Sequence, residues 1–494
     1  MSLVAVADAG TTNLKAGVVN PDGELLSLER RRIPLHRPED GAAEHDPEEL
    51  FRAFVECVQN AVSPYSSRVQ ALALSGYQFG FVPLDEDDCP LTGIITLMDI
   101  RSRGAAERVA ERVGRERIYK LTGCPPLFTS LLSTVEWMRC SRQDLLRRTH
   151  RFADVKAYLI HSLTGQFATE PSLAASTQLL NCRTREWDDE LLDAAGLEAE
   201  QLPEVVEGSQ VLTELSSSAA AELGLREGVK LVPGLYDGGA LFPGTGALTE
   251  ERGVCNLGTS AMLRSCVDRP VLDDPSRARI QTYPLLPKRW AGGGGVNNAG
   301  SALEWLKGTL MDGPDIAELV AEASEVQPGC EGVTCLPYLT GERDPRIGGA
   351  ATGQFVGLRQ HHARGHLARA VMEGVAFTLD MLRDALEENG IEPEGLNVAG
   401  SGSRSDLWPR ILADVMNMPV QTSEAEEVSL IGEAILGQTC LGSYDSLQEA
   451  CRHMVASGSS FKPRPEGVKT YRRARERFDE VLRASRRLYS ESAS

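Results

Sequence analysis

The chain has 494 residues, of which 42% are hydrophobic and 24% charged, and its formal net charge is -19 at pH 7. This length predicts two or three domains, and the composition excludes a short coiled coil, a small disulfide scaffold and a largely disordered chain. The 70 acidic residues outnumber the 51 lysines and arginines, and the sequence contains no concentrated basic patch. Nucleic acid is therefore not an expected partner.

Strand-like apolar runs alternate with helical patterns along the whole chain. The predicted strands are Leu3–Ala7, Ala16–Val19, Val69–Leu74, Lys230–Val232, Gly253–Leu257 and Leu396–Ala399. Apolar residues at three- and four-residue spacing predict helices over Pro47–Val62, Arg101–Arg112, Leu131–Met138, Gly300–Leu306, Gly365–Asn389, Leu407–Met416 and Thr470–Tyr489. This alternation predicts an α/β protein with largely buried sheets.

The sequence has a weak internal repeat at half its length. A strand, a Gly/Thr turn and a second strand occur at the N-terminus and again around Gly258. Between the copies, the segment Leu235–Glu250 is rich in proline and glycine, which indicates a domain boundary with a hinge near Gly244. We therefore predict two related domains, residues 1–246 and 247–494.

The eleven cysteines form no C-x-x-C pair, and their number is odd. This pattern favours free thiols in a reducing cytoplasm. No basic stretch followed by a long apolar segment begins the sequence, and the apolar runs fall short of the roughly 18 to 20 residues that span a bilayer. We therefore expect a cytoplasmic protein that is not bound to a membrane.

Two loops have the composition of a polyphosphate site. The first contains Asp8, Gly10, Thr11, Thr12 and Lys15, which provide a carboxylate, a close backbone approach, two hydroxyls and a cation. These are the groups that a magnesium–nucleotide complex requires, although an ordinary turn uses some of the same residues. The second loop, Gly258–Thr259–Ser260, lies in the other predicted domain, so that the pair could clamp a polyphosphate between the domains.

Two further segments are candidates for chemistry. The strand Leu396–Ala399 enters a turn with Gly400, Gly402, Ser403 and Arg404, which resembles a dinucleotide fingerprint without its third glycine. Asp237 follows the apolar stretch Leu231–Tyr236 and is expected at the end of a buried strand, where it could act as a general base or simply form a turn before two glycines.

Taken together, these residues resemble the FGGY carbohydrate kinases over essentially the entire chain. The sharpest match is Gly353–Leu358, followed after seven residues by His366-Leu367 and after two more by Ala370–Glu373. Family-like order also occurs at Glu44–Pro47, at Asp99 with Arg101, at Thr122-Gly123, at Pro337–Leu339 and at Gly341–Arg343.

The resemblance implies two actin-like, ribonuclease-H-like ATPase domains that flank a catalytic cleft, with ATP and Mg²⁺ as cofactors. It implies that Asp237 is the catalytic base and that Asp8 assists magnesium. The implied ATP-binding residues are Gly10, Thr11, Thr12, Lys15, Gly258, Thr259, Ser260, Gly400, Gly402, Ser403 and Arg404. The sugar is expected near Gln78, Phe79, Asp99 and Asp237, and a homodimer is common among such enzymes.

Three positions depart from the family pattern and leave the sugar open. Leu97 replaces the usual Trp, Thr134 replaces the Lys of the first signature if its Trp is Trp137, and Gln78-Phe79 replaces the Met-His of xylulose kinases. We expect a ketopentose such as xylulose or a related polyol, with gluconate as the alternative if Arg101 or Arg343 supplies a cation. Rivals of another class are a catalytically silent sugar or nucleotide sensor and a nucleotide-dependent oxidoreductase.

Overall fold

The fold is built on two large sheets, one in each half of the chain. The structure is a computed structural model that describes residues 2–311, 313 and 315–491. The strands of the first half are β1 (Leu3–Ala9), β2 (Asn13–Val19), β3 (Leu25–Arg32), β4 (Glu44–His45), β5 (Val69–Gly76), β6 (Phe81–Leu84), β7 (Ile94–Ile95), β8 (Arg151–Asp154), β9 (Ala168–Thr169), β10 (Glu204–Val205), β11 (Thr213–Glu214) and β12 (Lys230–Val232). Those of the second half are β13 (Arg252–Leu257), β14 (Ala261–Val267), β15 (Gln281–Leu286), β16 (Arg289–Val296), β17 (Thr334–Leu336), β18 (Gln354–Val356), β19 (Gly395–Ala399), β20 (Val420–Ser423) and β21 (Ser457–Phe461).

Helices cover these sheets. In the first half they are α1 (Pro47–Val62), α2 (Arg103–Val109), α3 (Arg115–Thr122), α4 (Leu131–Ser141), α5 (Gln143–Arg148), α6 (Val155–Thr164), α7 (Pro171–Ala174), α8 (Asp189–Ala195), α9 (Ser217–Glu222) and α10 (Asp237–Thr245). In the second half they are α11 (Gly300–Leu310), α12 (Ile316–Glu325), α13 (Arg364–Glu388), α14 (Leu407–Met416), α15 (Val428–Cys440), α16 (Leu447–Met454) and α17 (Pro465–Glu491).

The two large sheets share one topology. The first has the order β11-β12-β5-β1-β2-β3, in which β1, β2 and β3 are antiparallel and β5 and β12 run parallel to β1. The second has the order β15-β16-β14-β13-β19-β20-β21, in which β16, β14 and β13 are antiparallel and β19 and β20 run parallel to β13. The predicted internal repeat is therefore confirmed as an arrangement of strands.

Helices α10 and α15 cross at the junction between the halves, and glycines bring their backbones together. A Cβ atom on Gly432 of α15 would lie 1.9 Å from the carbonyl oxygen of Ala240, and one on Gly244 of α10 would lie 2.1 Å from that of Val428. Helix α15 also packs on β1 and β5, where a Cβ on Gly437 would lie 2.6 Å from Val4. A helix from the second half thus completes the core of the first.

Most predicted elements are confirmed, with shifted ends. The prediction for Pro47–Val62 and that for Leu407–Met416 match α1 and α14 at both ends, because Asp46 caps α1 and Asn417 ends α14 in the left-handed conformation. The helix predicted over Arg101–Arg112 instead begins at Arg103 and continues as a π turn over Ala110–Gly114.

The segment Leu235–Glu250 differs most from its prediction. Its glycines and proline indicated a boundary with a hinge at Gly244, but residues 237–245 form the buried helix α10. The glycines serve close helix packing here, so Gly244 lies within a helix and not in a flexible loop. The predicted boundary after residue 246 falls between α10 and β13 and stays a prediction.

No helix within residues 2–311, 313 and 315–491 has both the length and the apolar character needed to cross a bilayer.

Replacing Gly432 by alanine tests the helix crossing. The added methyl would collide with the Ala240 carbonyl, so we expect Gly432→Ala to lower the free energy of unfolding by about 1–3 kcal/mol, the usual cost of overpacking. The matched control is Gly308→Ala in α11, where no atom lies within 4 Å and alanine should leave stability equal or higher. Equal urea midpoints for Gly432→Ala and wild type would contradict this crossing.

Candidate active site

Three strand ends of the first sheet bring the predicted acids together. Asp8 on β1 lies beside Ser75 of β5, and Gly76 at the end of β5 pairs with Tyr236, the residue before Asp237. Since β1, β5 and β12 are parallel, their carboxyl ends meet at one edge of the sheet, which is where ligands bind in open α/β sheets. Asp237 is the first residue of α10, five residues beyond the end of β12, and does not lie at a strand end as predicted.

The pKa values of Asp237 and Asp8 are both raised, mainly by burial. Desolvation raises the pKa of Asp237 to about 7, and the nearby Asp8 charge adds to this effect, although solvent reaches the Asp237 side chain. The Gly238 amide donates to Asp237 Oδ1 at 2.8 Å and acts in the opposite direction. Burial also raises the pKa of Asp8, while Lys15 opposes the increase. Two carboxylates with raised pKa values at a strand edge are typical of a catalytic site.

The first loop is tied to the second half of the chain. Lys15, which pairs with Asp8 in the strand register, forms an ion pair of 2.6 Å with Glu427, and Arg30 reaches the other oxygen of Glu427 at 2.7 Å. Ser429 at the start of α15 donates to Asp8 Oδ2 at 3.4 Å. The hydroxyls of Thr11 and Thr12 lie at the tip of the β1–β2 hairpin, where Gly10 allows the approach of the Asn13 carbonyl.

The second loop and the glycine turn lie side by side. Thr259 and Ser260 are exposed at the tip of the β13–β14 hairpin, next to Gly258. Because β13 and β19 are parallel neighbours, the turn Ser401–Arg404 follows directly beside this hairpin. Gly400 has φ 91°, and a Cβ there would lie 2.5 Å from Asn256 Oδ1.

The remaining residues of the turn have mainly local contacts. A Cβ on Gly402 would lie 2.8 Å from the Leu257 side chain, and the Ser403 hydroxyl donates to the Gly400 carbonyl at 2.7 Å. Arg404 is exposed and lies 3.9 Å from Glu426.

The predicted sugar residues Gln78 and Phe79 follow the end of β5, at the same edge of the sheet. Gln78 donates to the Ser172 carbonyl at 2.9 Å, and the Ser172 hydroxyl accepts from the Tyr236 amide at 3.3 Å. Phe79 has φ 62°, a left-handed conformation, and its amide lies 3.4 Å from the Ser176 hydroxyl. Gln78 is therefore linked through Ser172 to the residue before Asp237, and Phe79 contacts the same segment at Ser176.

Asp99 has a different environment from the other predicted sugar residues. It is buried, and its oxygens accept hydrogen bonds from the Ala43 amide at 3.0 Å and from the amide and guanidinium of Arg101. Arg101 also binds Glu44 and Glu39 and stacks on the Trp137 ring at 4.5 Å. Arg101 is thus already paired with three carboxylates, which makes it a poor candidate for binding a sugar carboxylate.

A buried charged cluster beneath the site was not found from the sequence. Lys156 donates to Glu170 at 3.2 Å and to the Leu235 carbonyl at 2.9 Å, and Glu433 of α15 accepts from the Leu235 amide at 2.9 Å. Burial raises the pKa of Glu433 well above its ordinary value. These residues hold the segment that carries Asp237. In the sequence, Lys156 and Glu433 are each only a charged residue within an apolar helical pattern. Charged residues at solvent-exposed helix positions look the same.

Two family models match the two halves of the chain. Residues 3–242 match the N-terminal domain of the FGGY family of carbohydrate kinases, and residues 253–439 match its C-terminal domain. The chain belongs to the FGGY family of carbohydrate kinases. It is therefore a phosphotransferase with an alcohol group as acceptor, and its two domains have the actin-like ATPase fold predicted from the sequence.

Relatives of this kinase carry two different substrate names. The gluconokinase of Bacillus subtilis is 29% identical over 500 residues, with 98% of this chain and 96% of the relative covered. The xylulose kinase of the same organism is 28% identical, with 96% and 95% covered.

Two solved structures from Lactobacillus acidophilus have the same two names. The ligand-bound xylulose kinase superposes with a TM-score of 0.93 at 28% identity, covering 99% of this chain and 100% of that one. The gluconate kinase has a TM-score of 0.93 at 27% identity, with 99% of each chain covered. Membership of this family thus confirms the predicted sugar kinase function and implies ATP as the phosphoryl donor.

The raised pKa of Asp237 predicts that replacing this residue by a neutral one stabilises the fold by an amount that depends on pH. The folded pKa of about 7 lies above the ordinary value of 3.8, so ionised Asp237 costs folding free energy above pH 7, and this cost disappears below about pH 4. We expect Asp237→Asn to unfold at higher urea than wild type at pH 8, with the difference shrinking as the pH falls from 7 to 4. Asp40→Asn, at an exposed carboxylate, is the control. A difference that grows towards pH 4 would contradict the sign.

Proposed function

We propose that this kinase transfers the γ-phosphoryl group of Mg²⁺–ATP to a terminal hydroxyl of a small polyhydroxylated substrate, with Asp237 as general base. The observation that carries the proposal is that Asp237 and Asp8 share one strand edge, next to the β1–β2 hairpin. A carboxylate with a pKa near the working pH is well matched to accept the hydroxyl proton.

The two hairpins supply groups for the phosphates. Thr11 and Thr12 of one hairpin and Thr259 and Ser260 of the other carry exposed or half-exposed hydroxyls, and the tips of both hairpins contribute backbone amides. Phosphoryl transfer is catalysed mainly by positioning and charge stabilisation, for which such donors suffice. Lys15 would add a cation after exchanging Glu427 for phosphate oxygens.

Asp8 fits a role in holding magnesium. Its Oδ1 atom is buried and has no hydrogen-bond partner within the described residues, and carboxylate oxygens are the ligands that Mg²⁺ prefers. Bound magnesium would neutralise charge on the phosphates, and its charge would also relieve the repulsion between Asp8 and Asp237.

The glycine turn is the proposed adenosine site. Gly400, Gly402, Ser403 and Arg404 lie beside the β13–β14 hairpin, so that a nucleotide with its phosphates at Thr259 would extend towards them. The exposed Arg404 side chain, whose ion pair with Glu426 is long, would be free to move over the base.

The remaining predictions are kept as proposals. All eleven cysteines are free thiols, which supports a reducing, cytoplasmic location. A homodimer stays a prediction from the family resemblance. The acceptor is either a ketopentose such as xylulose or a sugar acid such as gluconate, the two classes named among the relatives.

Replacing Asp237 tests the catalytic assignment. We expect Asp237→Ala to lower kcat by about 10²–10⁴-fold, because the attacking hydroxyl loses its base, with little change in ATP binding. ADP release with Mg²⁺–ATP across xylulose, ribulose, gluconate, glycerol and erythritol measures this, and Asp40→Asn serves as an exposed-carboxylate control. Full activity of Asp237→Ala would remove Asp237 from the role of base. ATP binding without turnover of any acceptor would favour the sensor.

The pH dependence of kcat/KM provides a second test. Asp237 accepts a proton only when ionised, and its pKa of about 7 predicts that kcat/KM of wild type falls about tenfold per pH unit below pH 7. Initial rates measured from pH 5 to 9 at one saturating nucleotide concentration define the acidic side of this pH profile. A rate that stays constant down to pH 5 would show that ionisation of Asp237 does not limit the reaction.

A further inference from the structure

Arg264 on β14 is a buried cation without an anionic partner. Its side chain is 5% exposed, and no carboxylate within the described residues forms an ion pair with it. Nη2 donates to Gln281 Oε1 at 3.0 Å, whereas Nε and Nη1 are buried and have no acceptor. Leaving a charged donor buried and unpaired is costly, so a guanidinium of this kind indicates an anion that binds there.

Two aromatic rings connect Arg264 to the residue that precedes the proposed base. Its guanidinium stacks on the Tyr283 ring at 4.6 Å, and the Tyr283 ring lies 6.2 Å from that of Tyr236, the residue before Asp237. The Tyr236 hydroxyl is also buried without a hydrogen-bond partner, and the Arg264 charge acts on it electrostatically. Arg264 and Tyr236, which come from the two halves of the chain, thus both have buried polar atoms without hydrogen-bond partners.

Three of the other cations around the site are already paired with carboxylates. Arg101 binds three carboxylates, Lys156 is paired with Glu170, and Lys15 is paired with Glu427. Arg343 is exposed and donates to Asn297 at 2.6 Å on the second-half side of the cleft. Since Asp8, Asp237 and Glu433 make this region acidic, an anionic substrate requires a cation that is still available.

We propose that Arg264 binds the carboxylate of a sugar acid and that the acceptor substrate of this kinase is an aldonate. This inference rests on the proposed function, because the terminal hydroxyl at the opposite end of the substrate is the one that Asp237 deprotonates. The carboxylate receives charge-assisted hydrogen bonds from the two free guanidinium nitrogens, which a neutral ketopentose would leave unpaired. Arg264 thus determines specificity, and the sugar acid replaces the ketopentose as the expected substrate.

Gluconate and glucitol are a matched pair of probes, because they differ only in a carboxylate against a CH₂OH group. We expect wild type to phosphorylate gluconate with a kcat/KM roughly 100-fold or more above those of glucitol and xylulose. Gluconate, but not glucitol, should raise the Tm of the full chain without ATP. Arg264→Met should reduce the preference for gluconate over glucitol to a few-fold, and Arg264→Lys should restore part of it. Arg343→Met is the control for the second nominated cation.

The outcomes separate the inference from the proposed function. Efficient phosphorylation of xylulose or glucitol, with gluconate poor, would overturn the aldonate assignment and leave the kinase mechanism intact. A preference for gluconate that survives Arg264→Met, or that is lost in Arg343→Met instead, would overturn the role of Arg264. If Arg264→Met fails to fold, the wild-type gluconate and glucitol comparison still decides the substrate class. Absence of turnover with every acceptor would overturn the proposed function itself.

Discussion

The close contact between α10 and α15 is the constraint on which the site depends. Gly432 and Gly244 allow the two backbones to touch, and any side chain at either position would separate them. This contact sets α15 against β1 and β5, and so places Glu427, Ser429 and Glu433 around Asp8, Lys15 and the segment before Asp237. The acids of the first domain are therefore oriented by residues of the second.

Electrostatics explains why the site needs this support. Asp8, Asp237, Glu170 and Glu433 are acids in one desolvated region, with Lys15 and Lys156 as their engaged counter-charges. Such an arrangement stores unfavourable free energy in the unliganded protein, and bound magnesium or a proton would release part of it. The pKa of the proposed base is raised first by desolvation and then by the neighbouring Asp8 charge.

Local patterns predicted much of the fold but not its long-range contacts. Caps and periodicity defined α1 and α14, and the Gly/Thr hairpins were visible as composition at Asp8–Lys15 and Gly258–Ser260. Glycine in Leu235–Glu250 was misleading, because the sequence does not distinguish a glycine that bends the chain from one that allows two helices to touch. Arg264 lay unnoticed in a strand, since the lack of an ionic partner is a property of the folded chain alone.

The packing of α15 also bears on how the molecule can be divided. The first family match ends within α10, at residue 242, and the second begins at residue 253, so that the linear sequence suggests two interchangeable modules. A fragment that ends at residue 246 would nevertheless lack α15, whose buried Leu430, Ile431 and Ile435 belong to the same hydrophobic core as β1 and β5. Chimeras between relatives would accordingly have to exchange residues 428–440 together with the N-terminal sheet. The structural unit of the first half therefore includes a helix that is distant from it in sequence.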